Sequence, residues 1–447
     1  MKQHLLVFAL LATTSVFSQT IINRDPEIEK MVSEVSKDSL QSYINTVVSF
    51  GTRSTLSTQT DTKRGIGAAK NWVLKKFNEF AKNSAGRLSA LIDTTTIQPG
   101  NRINSSLILG NVMATLKGTD PDDHRIFIIS GHLDSRRSDV MDKTGDAPGA
   151  NDDGSGTAAV LECARIMSKH SFPATIIFVA VSGEEQGLYG STLMANKAKK
   201  ENWDIRAVLN NDIIGSNNSN ETNIINNTKV RVFSEGIPAT ATEKDIAKIR
   251  ALGLENDSKS RELARYIKEI GERYVDNLEV KLIYRTDRFL RGGDHIPYLR
   301  NGFTAVRITE MNENFNHQHQ DVRNENGIED GDLPKFMDFE YLRKNTALNL
   351  ANLSNLAKAP SVPQNVEIDV KNLSNYSSLS WQAPQNGKVK GYYLLIRETS
   401  SPVWQKKIFT TQNSISVPYS KDNYFFAVES VNENANESLP VIPDLER

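Results

Sequence analysis

The sequence predicts an α/β domain with a mostly parallel mixed sheet between helices, followed by a small all-β sandwich. Short β-branched runs alternate with helical stretches as far as about residue 358, which is typical of strands buried on both faces of a parallel sheet. Beyond residue 364 the helical period is lost and several short alternating runs follow one another. The 447 residues are enough for both domains.

Apolar spacing and short β-branched runs predict the helices and strands of the first domain. Residues 26–48 and 71–82 have the apolar spacing of helices. The predicted strands are 125–131, 175–182, 207–213, 279–284 and 304–308. The predicted helices that alternate with them are 156–169, 258–274 and 333–357. This order of strand, helix and strand indicates a layered α/β domain over residues 19–358.

Residues 359–364, Ala-Pro-Ser-Val-Pro-Gln, contain two prolines, Pro360 and Pro363, and predict a linker before the sandwich of residues 365–447. The predicted strands of the sandwich are 366–370, 378–381, 392–397, 407–410, 414–417 and 424–430. Through Pro363, the run 379–381 and the strand 424–432, this segment resembles a fibronectin type III module. We expect few contacts across the linker.

The first 18 residues predict an export signal. Lys2 gives a positive start, residues 5–12 form a short apolar run, and Val16 and Ser18 are the small residues before a predicted cut. The run is too short to span a bilayer, and no later segment is long, apolar and uncharged, so we expect no integral membrane segment. The protein is therefore expected to be exported, either secreted or periplasmic. The alternative is a buried N-terminal helix.

Composition limits the chemistry. Lys and Arg number 53 against 54 Asp and Glu, a net charge of -1, which argues against nucleic acid as a partner. The only cysteine is Cys163, so the chain can form neither an intrachain disulfide nor a metal site built of thiolates. A metal would have to be held by carboxylates and by some of the seven histidines.

Polar segments follow the predicted strands where each strand ends. They are residues 131–135, 149–156, 183–185, 211–215 and 316–321. Taken singly, a His-x-Asp can be a structural pair, an Asp-Asp-Gly a turn and a Glu-Glu a solvated pair. Because the carboxyl ends of parallel strands meet at one edge of a sheet, we expect the segments to form one site. Buried carboxylates gathered there require a cation or a proton to balance them.

The ordered set of His-x-Asp, Asn-Asp-Asp-Gly-Ser-Gly, Glu-Glu, Asn-Asp and a late His four residues before an Asp resembles the M28 family of zinc exopeptidases, over about residues 25–358. The resemblance implies the zinc exopeptidase fold and two Zn²⁺ ions per chain. It implies that His132 and Asp212 hold one ion, that Glu185 and His317 hold the other, and that Asp152 bridges them.

The resemblance also implies roles for residues that do not bind metal. Glu184 would be the general base, and Asp134, two residues after His132, would orient that imidazole. Asp294 would belong to a structural Asp-His pair near the pocket. The peptide bond after Asp152 is commonly cis in the family.

The late histidine segment offers two candidate ligands and departs from the family pattern at one position. His317 and His319 would point the same way in an extended chain, so local geometry does not choose between them. The family register, four residues before Asp321, favours His317. Some members have Tyr directly before this histidine, where it donates to the oxyanion, whereas Asn316 stands at that position here.

The function that the resemblance implies is that of a secreted aminopeptidase acting on peptides or proteins. A water shared by two zinc ions would attack the N-terminal peptide bond, with Glu184 as base. A carboxypeptidase or dipeptidase, for which Arg285, Arg288 and Arg291 could cradle a carboxylate, and a glutaminyl cyclase are alternatives within the fold. A non-catalytic binding protein is the alternative outside it. We expect the C-terminal module to contact a surface or substrate, and a chain cut after Ala359 to remain active on small peptides.

Overall fold

The structure is a computed structural model that describes residues 22–371 and 373–446. The predicted export signal of residues 1–18 lies outside the described residues. Within the described part of the chain, no helix has both the length and the apolar character needed to cross a membrane.

Three helices precede the sheet: α1 (Pro26–Ser33), α2 (Lys37–Ser49) and α3 (Gly65–Ala81). The helical stretch predicted over 26–48 is thus divided in two. The first part ends at Ser33, and Ser36 caps the second, because its side chain accepts the N–H of Ser39 at 3.1 Å.

The centre of the first domain is an eight-stranded mixed sheet in the order β1-β2-β4-β3-β5-β8-β6-β7. Its strands are β1 (Leu88–Ile97), β2 (Leu107–Leu116), β3 (Ile126–His132), β4 (Thr175–Val181), β5 (Ile205–Asn211), β6 (Lys229–Phe233), β7 (Glu279–Ile283) and β8 (Ala305–Glu310). The neighbours β4, β3, β5 and β8 are parallel. The predicted α/β class with a mostly parallel centre is confirmed.

Helices cover both faces of this sheet. The helices after α3 are α4 (Gly154–Met167), α5 (Tyr189–Lys200), α6 (Glu243–Leu252), α7 (Lys259–Tyr274), α8 (Ile296–Arg300) and α9 (Phe339–Lys358). The larger core lies on the face of α4, α7 and α9, and α5 and α8 pack on the other face. A short hairpin of β9 (Arg323–Glu325) and β10 (Ile328–Asp330) precedes α9.

A close approach between β3 and α4 sets the position of the strand end. A Cβ at Gly131 would lie 2.4 Å from the main-chain carbon of Gly156, which no side chain permits. The side chain of Asp153 caps α4 by accepting the N–H of Gly156 at 2.8 Å. The first turn of α4 is therefore held directly against the carboxyl end of β3.

The C-terminal residues form two small sheets that share a core, as predicted. The strands are β11 (Gln364–Asp369), β12 (Ser377–Gln382), β13 (Gly391–Glu398), β14 (Lys406–Thr410), β15 (Ser414–Val417), β16 (Tyr424–Val431) and β17 (Asp444–Glu446). One sheet has the order β15-β12-β11-β17 and the other β14-β13-β16. Trp381 and Tyr392 meet edge to face between them, with ring centroids 5.3 Å apart.

The junction with the first domain differs from the expected linker. Arg125, directly before β3, donates to the carbonyls of Ala359 at 2.9 Å and Pro360 at 3.2 Å. The sandwich also contacts α7, where Arg265 donates to the carbonyl of Pro402 at 2.8 Å. The expectation of few contacts across residues 359–364 is therefore wrong: buried polar contacts join the two domains.

Candidate active site

Three parallel strands end at one edge of the sheet and carry the predicted site residues. His132 is the last residue of β3, Glu184 and Glu185 follow β4, and Asp212 follows β5 directly. Asp152 stands on the loop that leads into α4. The parallel arrangement brings these side chains together, as the sequence predicts.

Two groups of side chains could each hold a metal ion. The first is His132, Asp152 and Asp212, and the second is Asp152, Glu185 and His319; the ligand atoms of each group lie within 4.8 Å of one another. Asp152 belongs to both groups. Its Oδ1 lies 3.1 Å from Nε2 of His132, and its Oδ2 lies 2.8 Å from Nε2 of His319.

The second histidine of the site is His319, and the sequence-based choice of His317 is corrected. Nε2 of His319 lies 3.1 Å from Oε1 of Glu185. The ring of His317 instead stacks on Phe336, with centroids 3.7 Å apart and an angle of 9° between the planes. His317 is in neither group of candidate ligands.

The physical reason is that the segment is a turn and not an extended chain. The amides of His317 and Gln318 both donate to the carbonyl of Asn314 at 3.1 Å, and His319 has a φ of 56°. The two imidazoles therefore diverge. Asp321, from which the register was counted, pairs with Arg137 at 3.0 Å. Nothing in the sequence spacing distinguishes the two histidines, since the difference arises from the turn.

Asp134 holds two parts of the site. Nδ1 of His132 lies 3.0 Å from the main-chain oxygen of Asp134 and 3.7 Å from its Oδ1, so the main chain makes the closer contact. The Asp134 carboxylate accepts the N–H of Glu184 at 3.3 Å and of Glu185 at 3.1 Å. Its main effect is therefore to fix the Glu184–Glu185 turn, in addition to the predicted effect on His132.

Asp153 connects three segments of the site. Its carboxylate accepts the N–H of His132 at 2.9 Å and of Ile213 at 3.2 Å, besides the capping bond from Gly156. The peptide bond between Asp152 and Asp153 is cis, as the family resemblance implied.

Two further residues support the site and were missed in the sequence. Asp332, buried after β10, accepts the N–H of Asn151 at 2.8 Å and of Asp152 at 2.7 Å. Arg307, fully buried in β8, lies 2.8 Å from Oδ2 of Asp212. A charged residue within a buried strand, or an Asp after a surface hairpin, has no motif that would reveal these contacts.

Glu184 and Asp294 are acids whose charged forms are disfavoured. Desolvation raises the pKa of Glu184 well above its usual value; the charges of Glu185 and Asp212 add to the rise, while His132 opposes it. Burial raises the pKa of Asp294 to about 7, although Ser191 donates a hydrogen bond to it at 2.5 Å. The Glu184 carboxylate has no hydrogen-bond or ion-pair partner among the described residues, so it is available to exchange a proton.

The donor set suits zinc. Imidazole nitrogens and carboxylate oxygens are ordinary zinc ligands, and no thiolate is present. The buried Oε1 of Glu185 receives no hydrogen bond of good geometry from any residue that the structure describes, although it faces Nε2 of His319. A cation between these atoms would satisfy both, so the residues present fit a metal.

Comparison with known proteins identifies the family of this chain. Residues 111–333 match the profile of Peptidase family M28. A probable zinc metalloprotease of Leptosphaeria maculans is 42% identical over 420 residues, which are 94% of this chain and 97% of that protein. A probable zinc metalloprotease of Pyricularia oryzae is 43% identical over 426 residues, 94% of this chain and 84% of that protein.

Solved structures show the same fold. The LapA aminopeptidase of Legionella pneumophila is 20% identical, covers 78% of each chain and has a TM-score of 0.53. LapB from the same organism is 17% identical, covers 75% of this chain and 77% of that chain, and has a TM-score of 0.52. From the profile match and the near full-length relatives, the chain belongs to peptidase family M28 and is a hydrolase.

Proposed function

We propose that this protein is an exported aminopeptidase that uses two zinc ions. The observation that carries the proposal is that Asp152 directs one carboxylate oxygen toward each of two donor groups. His132 and Asp212 would complete the first zinc site, and Glu185 and His319 the second. When bound, the ions would polarise the scissile carbonyl and lower the pKa of the attacking water.

Glu184 is the general base in this proposal. It adjoins Glu185 in sequence but belongs to neither donor group, so its carboxylate is left for proton transfer. It takes a proton from the attacking water and gives one to the leaving amine. The hydrogen bonds from the amides of Glu184 and Glu185 to Asp134 hold the base in place for both transfers.

The acids of the cleft support action at a free N-terminus. The charge of Asp294 is one of those that raise the pKa of Glu184, together with the charges of Glu185 and Asp212 and the larger effect of desolvation. A substrate ammonium group would relieve the repulsion between such carboxylates, whereas a substrate carboxylate would increase it. The cleft therefore favours an aminopeptidase over a carboxypeptidase.

Export and the role of the sandwich are parts of the same proposal. The charged start, apolar run and small residues of positions 1–18 support removal of a signal before residue 19. The fibronectin type III-like sandwich would contact a surface or a large substrate. N-terminal sequencing of the mature protein from the medium and from the periplasm would test the site of cleavage and the location.

The experiment that tests the activity combines metal analysis with a substrate panel. We expect about two zinc ions per chain, hydrolysis of dipeptides and aminoacyl amides with a free amino group, and none of their N-acetylated forms. Cleavage of blocked peptides at the C-terminus would instead indicate a carboxypeptidase. Cyclisation of N-terminal glutamine with one zinc would indicate a cyclase, and zinc binding without turnover a binding protein.

A further inference from the structure

An open groove rich in arginine lies beside the candidate active site. It has a volume of about 610 Å³ and its lining includes Arg231, Arg285, Arg288, Arg291, Phe289 and Phe315. Arg288 connects the groove to the site, because its Nη2 lies 4.0 Å from Oδ2 of Asp212. A peptide that leaves the candidate metal centre on this side would enter the groove.

The groove carries an excess of positive charge. Glu313 is paired with Arg231 at 2.9 Å and with Arg288 at 3.4 Å, and it also contacts Arg291. Among the described residues, the other acids in contact with these arginines are Asp287, 3.2 Å from Arg288, and Asp212. Arg285 is exposed and makes no ion pair with any described residue. Its charge is therefore available to a ligand.

Exposed apolar side chains accompany these charges. Phe289 is 72% exposed and Phe315 50% exposed, which is unusual for side chains of this size. Arg285 lies over the ring of Phe289 at 5.4 Å, and Arg291 over the ring of Phe315 at 5.7 Å. The stacking holds each guanidinium beside an apolar surface that a peptide could cover.

We infer that this groove binds the part of a peptide substrate beyond the scissile bond and selects peptides that carry a carboxylate there. This inference rests on the proposed aminopeptidase function. The substrate ammonium would be repelled by the arginines, so the amino end must lie toward Glu184 and the remainder of the peptide toward the groove. The carboxylate is either an acidic side chain of the second or third residue or the free C-terminus of a short peptide.

The test compares four tripeptides with a common neutral first residue. One has Glu at the third position and one has Gln there, each as the free acid and as the C-terminal amide. We expect kcat/KM to fall about fivefold when a carboxylate is removed, mainly through KM, and the difference to shrink at 0.5 M salt. An effect of Glu against Gln identifies the side chain, and an effect of acid against amide identifies the terminus.

Variants connect this preference to the groove. Arg285→Gln should reduce the preference for acidic peptides, and Arg285→Glu should abolish or reverse it. Arg250→Gln, at an exposed position of α6 outside the groove, is the matched control. Equal rates for acidic and neutral peptides, or an acid preference unchanged in both Arg285 variants, would overturn the inference.

A binding measurement separates failure of the inference from failure of the proposed function. The dissociation constant of a fluorescent Glu-containing peptide is measured by anisotropy in the wild-type protein and in Arg285→Glu. Weaker binding by the variant supports binding of the acidic peptide in the groove, even if no peptide is hydrolysed. Equal binding overturns it.

Discussion

Arg273 of α7 and Glu437 of the C-terminal sandwich form a buried ion pair, with Nη1 3.0 Å from Oε1. Lys407 of β14 lies 2.6 Å from the other oxygen of Glu437 and also contacts Glu269 of α7. Glu437 is fully buried. Burial alone would raise the pKa of its carboxyl group, but the charges of Lys407 and Arg273 lower the pKa below its usual value. The charges of each domain are thus balanced by those of the other.

Removal of the sandwich should destabilise the enzyme. A chain cut after Ala359 loses Glu437 and Lys407, which pair with Arg273 and Glu269, and exposes apolar surface such as that covered by Leu439. We expect a lower melting temperature and aggregation, contrary to the behaviour that the sequence alone suggests. Thermal unfolding and hydrolysis of a dipeptide would compare the truncated chain with the full-length protein. An unchanged Tm with full activity would show that the domains are independent.

A single substitution tests the same contact without truncation. Lys407→Met leaves the buried Glu429 and Glu437 with one cation fewer, and breaking a buried pair costs about 3–5 kcal/mol. Lys371→Met removes an exposed pair with Glu446 and should cost less than about 1 kcal/mol. Urea unfolding of both variants gives the comparison; equal stabilities would contradict the role of Lys407.

The sequence predicts the parts of this protein that depend on local pattern. Continuous apolar runs locate β3, β4 and β5, and the polar residues after them locate His132, Glu185 and Asp212. The residues that were missed act across long sequence distances. Asp332 reaches Asp152 from 180 positions away, and the orientation of His319 depends on the turn at Asn314. Contacts of this kind have no period or spacing in the chain.

The two late histidines should differ in metal content. His319→Ala removes a candidate ligand and should lower zinc to about one ion per chain, with loss of nearly all activity. His317→Ala removes the stacking on Phe336 and should retain both ions. Elemental analysis of the two purified variants measures their zinc content. Loss of zinc from the His317 variant alone would show that His317, four residues before Asp321, is the ligand.

Glu184→Gln should separate catalysis from metal binding. The amide keeps the shape of the side chain but cannot accept a proton, so turnover should fall by about 10²–10⁴-fold. Zinc content and Tm should stay at wild-type values because Glu184 is in neither donor group. Asp152→Asn is the contrasting variant, since a neutral amide bridges two dications poorly and zinc should be lost with activity. Near-normal kcat in Glu184→Gln would refute the proposed base.

Asp332 should affect the site through Asp152 without touching substrate. Both oxygens of its carboxylate accept amide protons, from Asn151 and Asp152, and in Asp332→Asn one of these acceptors becomes an NH₂ group facing an N–H. Loss of a hydrogen bond to a charged acceptor costs about 1.5–3 kcal/mol, and displacement of Asp152 should weaken zinc binding about 10–100-fold. Zinc affinity is measured by competition with a chelator, with Glu329→Gln at an exposed surface pair as the control. If Asp332→Asn lowers Tm but leaves zinc affinity and kcat unchanged, Asp332 stabilises the loop without positioning the bridging carboxylate.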